Sequence, residues 1–170
     1  RRPGRASHAV SVSVVNGKQI TGKMYYKPDR WRIEAETEGK HQISIFRRDK
    51  KIIWHIAAQQ KQYLEFPLRD EDMQNLFTAR KVTGEVKREA LGKEVINGRK
   101  TTKYRIHFQI EKTQGVMYQW VDEEYQFAIK SADTEGKFVS ELKNIKMGPQ
   151  RGDLFELPAG YTKYTIPMSK

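Results

Sequence analysis

Apolar positions recur with a period of two along almost the whole chain, the spacing of strands that bury one face. Val10, Val12 and Val14 alternate with Ser11 and Ser13. Asn16-Gly17 then supplies residues that accept positive φ in a tight hairpin, and Ile20, Gly22, Met24 and Tyr26 continue on the return strand. Pro28-Asp29 turns the chain, Trp31, Ile33 and Ala35 alternate again, Glu38-Gly39 makes a second turn, and Gln42 to Arg47 carries Ile43 and Ile45 on one side. Ile52 to Ala57 is apolar on both sides of His55, which predicts a central strand covered on both faces, and Gln62 to Phe66 follows.

One segment has helical spacing. Asp70 suits an N-cap, Glu71 and Asp72 suit the positive end of a helix dipole, and Met73, Leu76 and Phe77 recur at three and four, predicting a short helix over 70–80. Strand patterns resume over 82–95, turn at Asn97-Gly98, and run through Lys103 to Lys112, Val116 to Val121, Gln126 to Ser131 and Phe138 to Ile145. The tail from Leu154 to Ile166 reads as a docked closing segment. Ten or eleven short antiparallel strands in meander order, interrupted by one helix, predict a mainly β fold: a strongly curved sheet or half-barrel with the helix on its concave side. No internal repeat or low-complexity linker divides the chain, so residues 1–170 read as a single domain with 1–6 as a flexible basic leader.

Charge changes the picture little. Lys and Arg number 32 against 21 Asp and Glu, a net charge of +11, yet the clusters at 47–51, 80–88 and 99–105 are each broken by acids or strand residues, the distribution of a solubilising surface. No run approaches the 18 to 20 or so consecutive apolar residues of a bilayer-spanning helix. Cysteine is absent, which removes thiol catalysis, disulfides and thiolate metal sites. His8, His41, His55 and His107 stand too far apart in sequence to form a local metal pair, so no metal and no cofactor is expected. Asp122-Glu123-Glu124 reads as a solvated turn rather than a catalytic carboxylate pair, and no glycine-rich phosphate loop or nucleophile elbow occurs.

Several segments together resemble a known family: Gly22-Lys23-Met24-Tyr25, Trp31-Arg32-Ile33-Glu34, Arg48-Asp49-Lys50-Lys51 leading to Ile53-Trp54, and Lys61-Gln62-Tyr63-Leu64-Glu65. Leu91-Gly92-Lys93-Glu94, Asn97-Gly98, Lys103-Tyr104-Arg105, Leu142-Lys143-Asn144-Ile145 and Phe155-Glu156-Leu157-Pro158-Ala159-Gly160-Tyr161 extend the likeness over nearly the whole chain. In this order and spacing they resemble bacterial periplasmic proteins of the LolA/LolB-like superfamily, above all its uncharacterised outer-membrane lipoprotein-sorting-like members. The resemblance implies a half-closed antiparallel barrel over helix, an apolar concavity that holds acyl chains, and a periplasmic location.

The residues with functional promise are large and apolar. Trp31, Ile33, Ile45, Trp54, Ile56, Phe108, Trp120 and Phe127 are the candidates for the ligand-binding concave face, and Met73, Leu76 and Phe77 are the candidates for a lid. The same residues would equally serve as a filled core, and the pattern leaves the two open. The reading that results is a non-enzymatic carrier of a hydrophobic or acylated partner, a lipid or a lipoprotein, with peripheral membrane contact. The alternatives are an interaction or nucleic-acid-binding β domain acting through its basic surface, and a small cofactor-independent enzyme using the same concavity. Nucleic acid is the less favoured partner: in Arg30-Trp31-Arg32 and Lys103-Tyr104-Arg105 the two-residue period sends the ring and its basic neighbours to opposite faces.

Overall fold

The structure is a computed structural model and describes residues 6–69, 82 and 84–165. Three two-residue turns set its first-order geometry. Asn16-Gly17, Glu38-Gly39 and Asn97-Gly98 all have positive φ at both positions, the conformation whose twist matches that of the strands it joins. The first makes Val15 face Lys18, so Ser13 faces Ile20, Ser11 faces Gly22 and Ala9 faces Met24 along β1 (Ser7–Val15) and β2 (Lys18–Lys27). The second makes Thr37 face Lys40, which pairs Trp31 with Phe46, Arg32 with Ile45 and Ile33 with Ser44 along β3 (Arg30–Thr37) and β4 (Lys40–Arg47). The third closes the longest hairpin, β7 (Glu85–Ile96) with β8 (Arg99–Ile110).

With β5 (Ile52–Ala57), β6 (Gln62–Pro67), β9 (Thr113–Asp122), β10 (Ala128–Asp133), β11 (Phe138–Met147) and the two-residue β12 (Thr162–Lys163), the described chain forms one twelve-stranded sheet. Its order is β12-β6-β5-β4-β3-β2-β1-β11-β10-β9-β8-β7, all antiparallel except the β12–β6 pair. The two meanders, β1 to β6 and β7 to β11, join where β1 pairs with β11. Among the described residues neither end finds a partner on the other, so the sheet stays open, as a half-barrel.

Curvature follows from contacts that a flat sheet could not make. Asn97 at the β7–β8 turn donates its side-chain amide to the carbonyl of Leu142 on β11, three strands away from β8, at 3.1 Å. A single cavity touches β3, β2, β1, β11 and β10 at once, strands that would span about 19 Å if laid flat. The face carrying that cavity is therefore the concave one.

The C-terminal segment lies on the other, convex face. A 3-10 turn, Gly152–Phe155, inserts Phe155, fully buried, against Ile45, Trp54 and Ile56, and Tyr25, Tyr63, Leu157 and Tyr161 pack around them. Arg32 and Arg47 donate to the carbonyls of Leu154 and Phe155, each at 3.0 Å, and β12 then adds to the edge of β6. The closing segment expected of the tail is thus docked on the outside of the sheet.

Three expectations need correction. The described strands number twelve, because the tail adds the two-residue β12 at the edge of β6. The strand around His55 is not a doubly covered central one: β5 lies third from the sheet's end, and although Trp54 and Ile56 are buried, His55 is exposed. Val10, Val12 and Val14 are half-buried on the convex side, and it is Ser11 and Ser13 that face the concavity. The expected helix over 70–80 and most of the basic leader lie outside the described residues.

Candidate functional site: the concave face

The hairpin registers decide which side chains meet inside the curve. Because Ala9 faces Met24 and Met24 faces Ile33, an apolar line runs across β1, β2 and β3, and Leu142 joins it from β11. Ala9, Met24 and Leu142 are buried, with Ile33, Phe127 and Ile145 packed on them. Beside them lies a cavity of about 190 Å³, whose apolar wall includes Ile20, Met24, Ile33, Ile129 and Leu142. Gly22 brings the backbone close: a Cβ there would collide with the carbonyl oxygen of Glu34 on β3.

One line across this face is polar. Gln119 on β9 faces Ser131 on β10, Ser131 faces Ser140 on β11, and Ser140 faces Ser13 on β1. The Ser13 hydroxyl donates to that of Ser140 at 3.0 Å. Ser11, Ser13, Ser131 and Ser140 all line the cavity. Sequence reasoning missed this line. The two-residue turn at Asn16-Gly17 places Ser13 on the same face as Ile20, but the register by itself does not say which face curves inward.

The eight ligand-face candidates divide evenly. Trp31, Ile33, Phe108 and Phe127 are on the concave side: Trp31 is buried and stacks on Phe46 with ring centroids 5.0 Å apart, Ile33 lines the cavity, and Phe127 joins its apolar cluster. Phe108 lies over Gly115 on the neighbouring strand, where a Cβ would collide with its ring. Ile45, Trp54 and Ile56 are on the convex side, buried beneath Phe155. Trp120 is also convex, sandwiched between the ammonium groups of Lys103 and Lys130 at 5.0 and 4.8 Å, with its indole N–H donated to Glu94 at 2.8 Å. Large aromatic character thus does not mark the concavity, because the docked tail gives the outer face a core of its own. Met73, Leu76 and Phe77 lie outside the described residues.

The strongest electrostatic constellation belongs to the tail. Arg47, 3% exposed, donates to both oxygens of Asp49 at 2.8 and 2.6 Å and to Glu156 at 2.8 Å, besides the carbonyl of Phe155. The hydrogen bond from Arg47 holds the Asp49 carboxyl down at about 2. This cluster clamps the turn to the sheet and leaves no vacant site.

Catalytic and metal chemistry have little to work with. Ser44 Oγ lies 2.8 Å from Nδ1 of His55, and desolvation lowers the imidazole pKa, but among the described residues no acid orients the other ring nitrogen. No group of three or more metal-ligating side chains is placed to hold an ion among the described residues. What the concave face can do is exclude water from an apolar body.

An open antiparallel sheet curled around such a face defines the class as a LolA-like half-barrel. Within it, the chain belongs to the family described as a domain of unknown function, DUF4412, whose model matches residues 9–126. Among solved structures it is similar to an uncharacterised conserved protein from Thermus thermophilus, at 10% identity and TM-score 0.65 over 95% of this chain and 90% of that one. It is also similar to MucB, at 15% identity and TM-score 0.63 over 92% of this chain and 58% of the other. The lipoprotein LppX of Mycobacterium tuberculosis gives 11% identity and TM-score 0.50 over 82% and 84%. At these identities the likeness is one of fold. Among curated proteins none matches the sequence.

Proposed function

We propose that this protein is a binding or carrier protein of the bacterial periplasm that shelters a hydrophobic or acylated ligand, a lipid or the lipid of a lipoprotein, against its concave face. The observation that carries the reading is the cavity of about 190 Å³ on that face, walled by Met24, Ile33, Ile129 and Leu142. Burying hydrocarbon there gains roughly 25 cal/mol per Å² removed from water, which is the whole of the driving force such a site needs. The half-barrel shared with LppX, itself a lipoprotein, supports the envelope location, as does the LolA-like sequence. Binding without catalysis fits the side chains on this face, and the basic exterior suits transient contact with an anionic membrane surface.

The test is titration of the delipidated protein with N-phenyl-1-naphthylamine, a neutral dye that fluoresces in apolar surroundings. Saturable enhancement is expected from the native chain. Ile33→Asp, which sets a charge in the cavity wall, should lower the affinity at least tenfold while Val86→Asp, on the exposed far edge, leaves it unchanged. Equal binding by both variants would remove the concave face as the site.

A further inference from the structure

The concave face carries more polar chemistry than an apolar carrier needs, and that chemistry is incomplete. Gln119, Ser131, Ser140 and Ser13 occupy one continuous cross-strand line over β9, β10, β11 and β1. Asp133, two residues beyond Ser131 on the same strand, points to the same face. Ser13 and Ser140 satisfy one another. Among the described residues the side-chain oxygen of Gln119 does not find a partner, although the residue is 2% exposed, and Oδ1 of Asp133 is likewise buried and without one. A buried acceptor left unpaired is costly, and these two lie on the face that carries the cavity, Gln119 opposite and Asp133 two residues beyond its lining residue Ser131, so they mark a place where a donor is expected to arrive.

We infer that the ligand of the concave face is an amphiphile whose polar end donates hydrogen bonds, and that Gln119 and Asp133, flanked by Ser131, are its receptor. The inference rests on the concave face being the binding site. A carboxylate offers only lone pairs, so Asp133 rejects a carboxylate or phosphate headgroup and accepts a hydroxyl, an amide N–H or an ammonium. The placement also sets direction. Ser13 lies three residues from the Asn16-Gly17 turn, and Val15 beside it is 37% exposed, so the polar line sits near the rim. Met24, Leu142 and Ile33 lie farther along the strands from that turn. The chain of the ligand enters first and its headgroup stops at Gln119 and Asp133.

Two lipids with the same oleoyl chain separate these claims. In displacement of N-phenyl-1-naphthylamine from the full-length protein, 1-monooleoylglycerol, with two hydroxyl donors, is expected to compete at roughly tenfold lower concentration than methyl oleate, which has none. Sodium oleate should fall at or below methyl oleate. Gln119→Met, close in volume, should shrink the preference for monooleoylglycerol over methyl oleate. Equal displacement by the two lipids in the native protein overturns the donor-bearing headgroup and leaves the concave face standing. Failure of both lipids to displace the dye overturns the headgroup claim together with the site itself. The native comparison stands whether or not Gln119→Met folds.

Discussion

Arg47 shows how a single side chain can hold two distant parts of the chain together. It is buried, yet its guanidinium meets carboxylates on Asp49 and Glu156 and a backbone carbonyl of the tail. The planar fork satisfies these directions at once, which an ammonium cannot. Arg47→Lys is therefore expected to destabilise almost as much as Arg47→Met, about 2 to 3 kcal/mol, read as a fall in urea midpoint. Hydrogen exchange should show faster opening of residues 152–163 in both variants. Asp49 adds a pH dependence of known sign. Its carboxyl lies at about 2 in the folded protein against an ordinary 3.8, so its contribution is complete above pH 4 and disappears as pH falls toward 2. Native protein should therefore lose more stability between pH 5 and pH 2.5 than Asp49→Asn does.

At the scale of elements, the 3-10 turn and the hairpins divide the work. Phe155 is fully buried among Ile45, Trp54 and Ile56, so Phe155→Ala should cost about 3 to 5 kcal/mol in equilibrium unfolding, the range of large core truncations. Ligand uptake on the opposite face should survive under conditions where the variant is folded. Gly22 is the reverse case. Its Cβ would collide with a backbone oxygen, which has no flexible side chain to yield, so Gly22→Ala should cost about 1 to 3 kcal/mol and disturb the cavity it lines. Loss of dye binding out of proportion to loss of stability is the expected signature. A Gly22→Ala protein with native stability would mean that β2 and β3 can separate without cost.

For the whole molecule, the net charge of +11 is dispersed, and several of the cations behind it are held in place. Arg30, Arg32, Arg47, Arg88 and Arg99 are each paired with carboxylates, and Lys103 and Lys130 lie against Trp120. Binding to single-stranded DNA at physiological salt is accordingly expected to be no tighter than the non-specific range of about 10⁻⁴ to 10⁻⁶ M, with a steep loss as salt rises. A filter-binding titration at two salt concentrations checks this. The open edge at β7 carries Lys87 and Lys93 in exposed positions, a device that discourages pairing with another sheet edge.

What the sequence by itself determined is local. Period-two alternation and the turns at Asn16-Gly17, Glu38-Gly39 and Asn97-Gly98 dictate hairpins, since only a few residues accept the required positive φ, and those turns dictate register within each hairpin. The order of motifs along the chain was enough to point to a half-barrel. Only the tertiary structure decided which face curves inward. Alternation sorts side chains into two sets without saying which is covered, and here both are, one by curvature and the other by the C-terminal segment. Ile45, Trp54 and Ile56 went outward because Phe155, about a hundred residues later, returns to cover them. Ser13, Ser131, Ser140 and Gln119 became one line because β1 pairs with β11, a contact between chain segments so far apart that no local pattern records it.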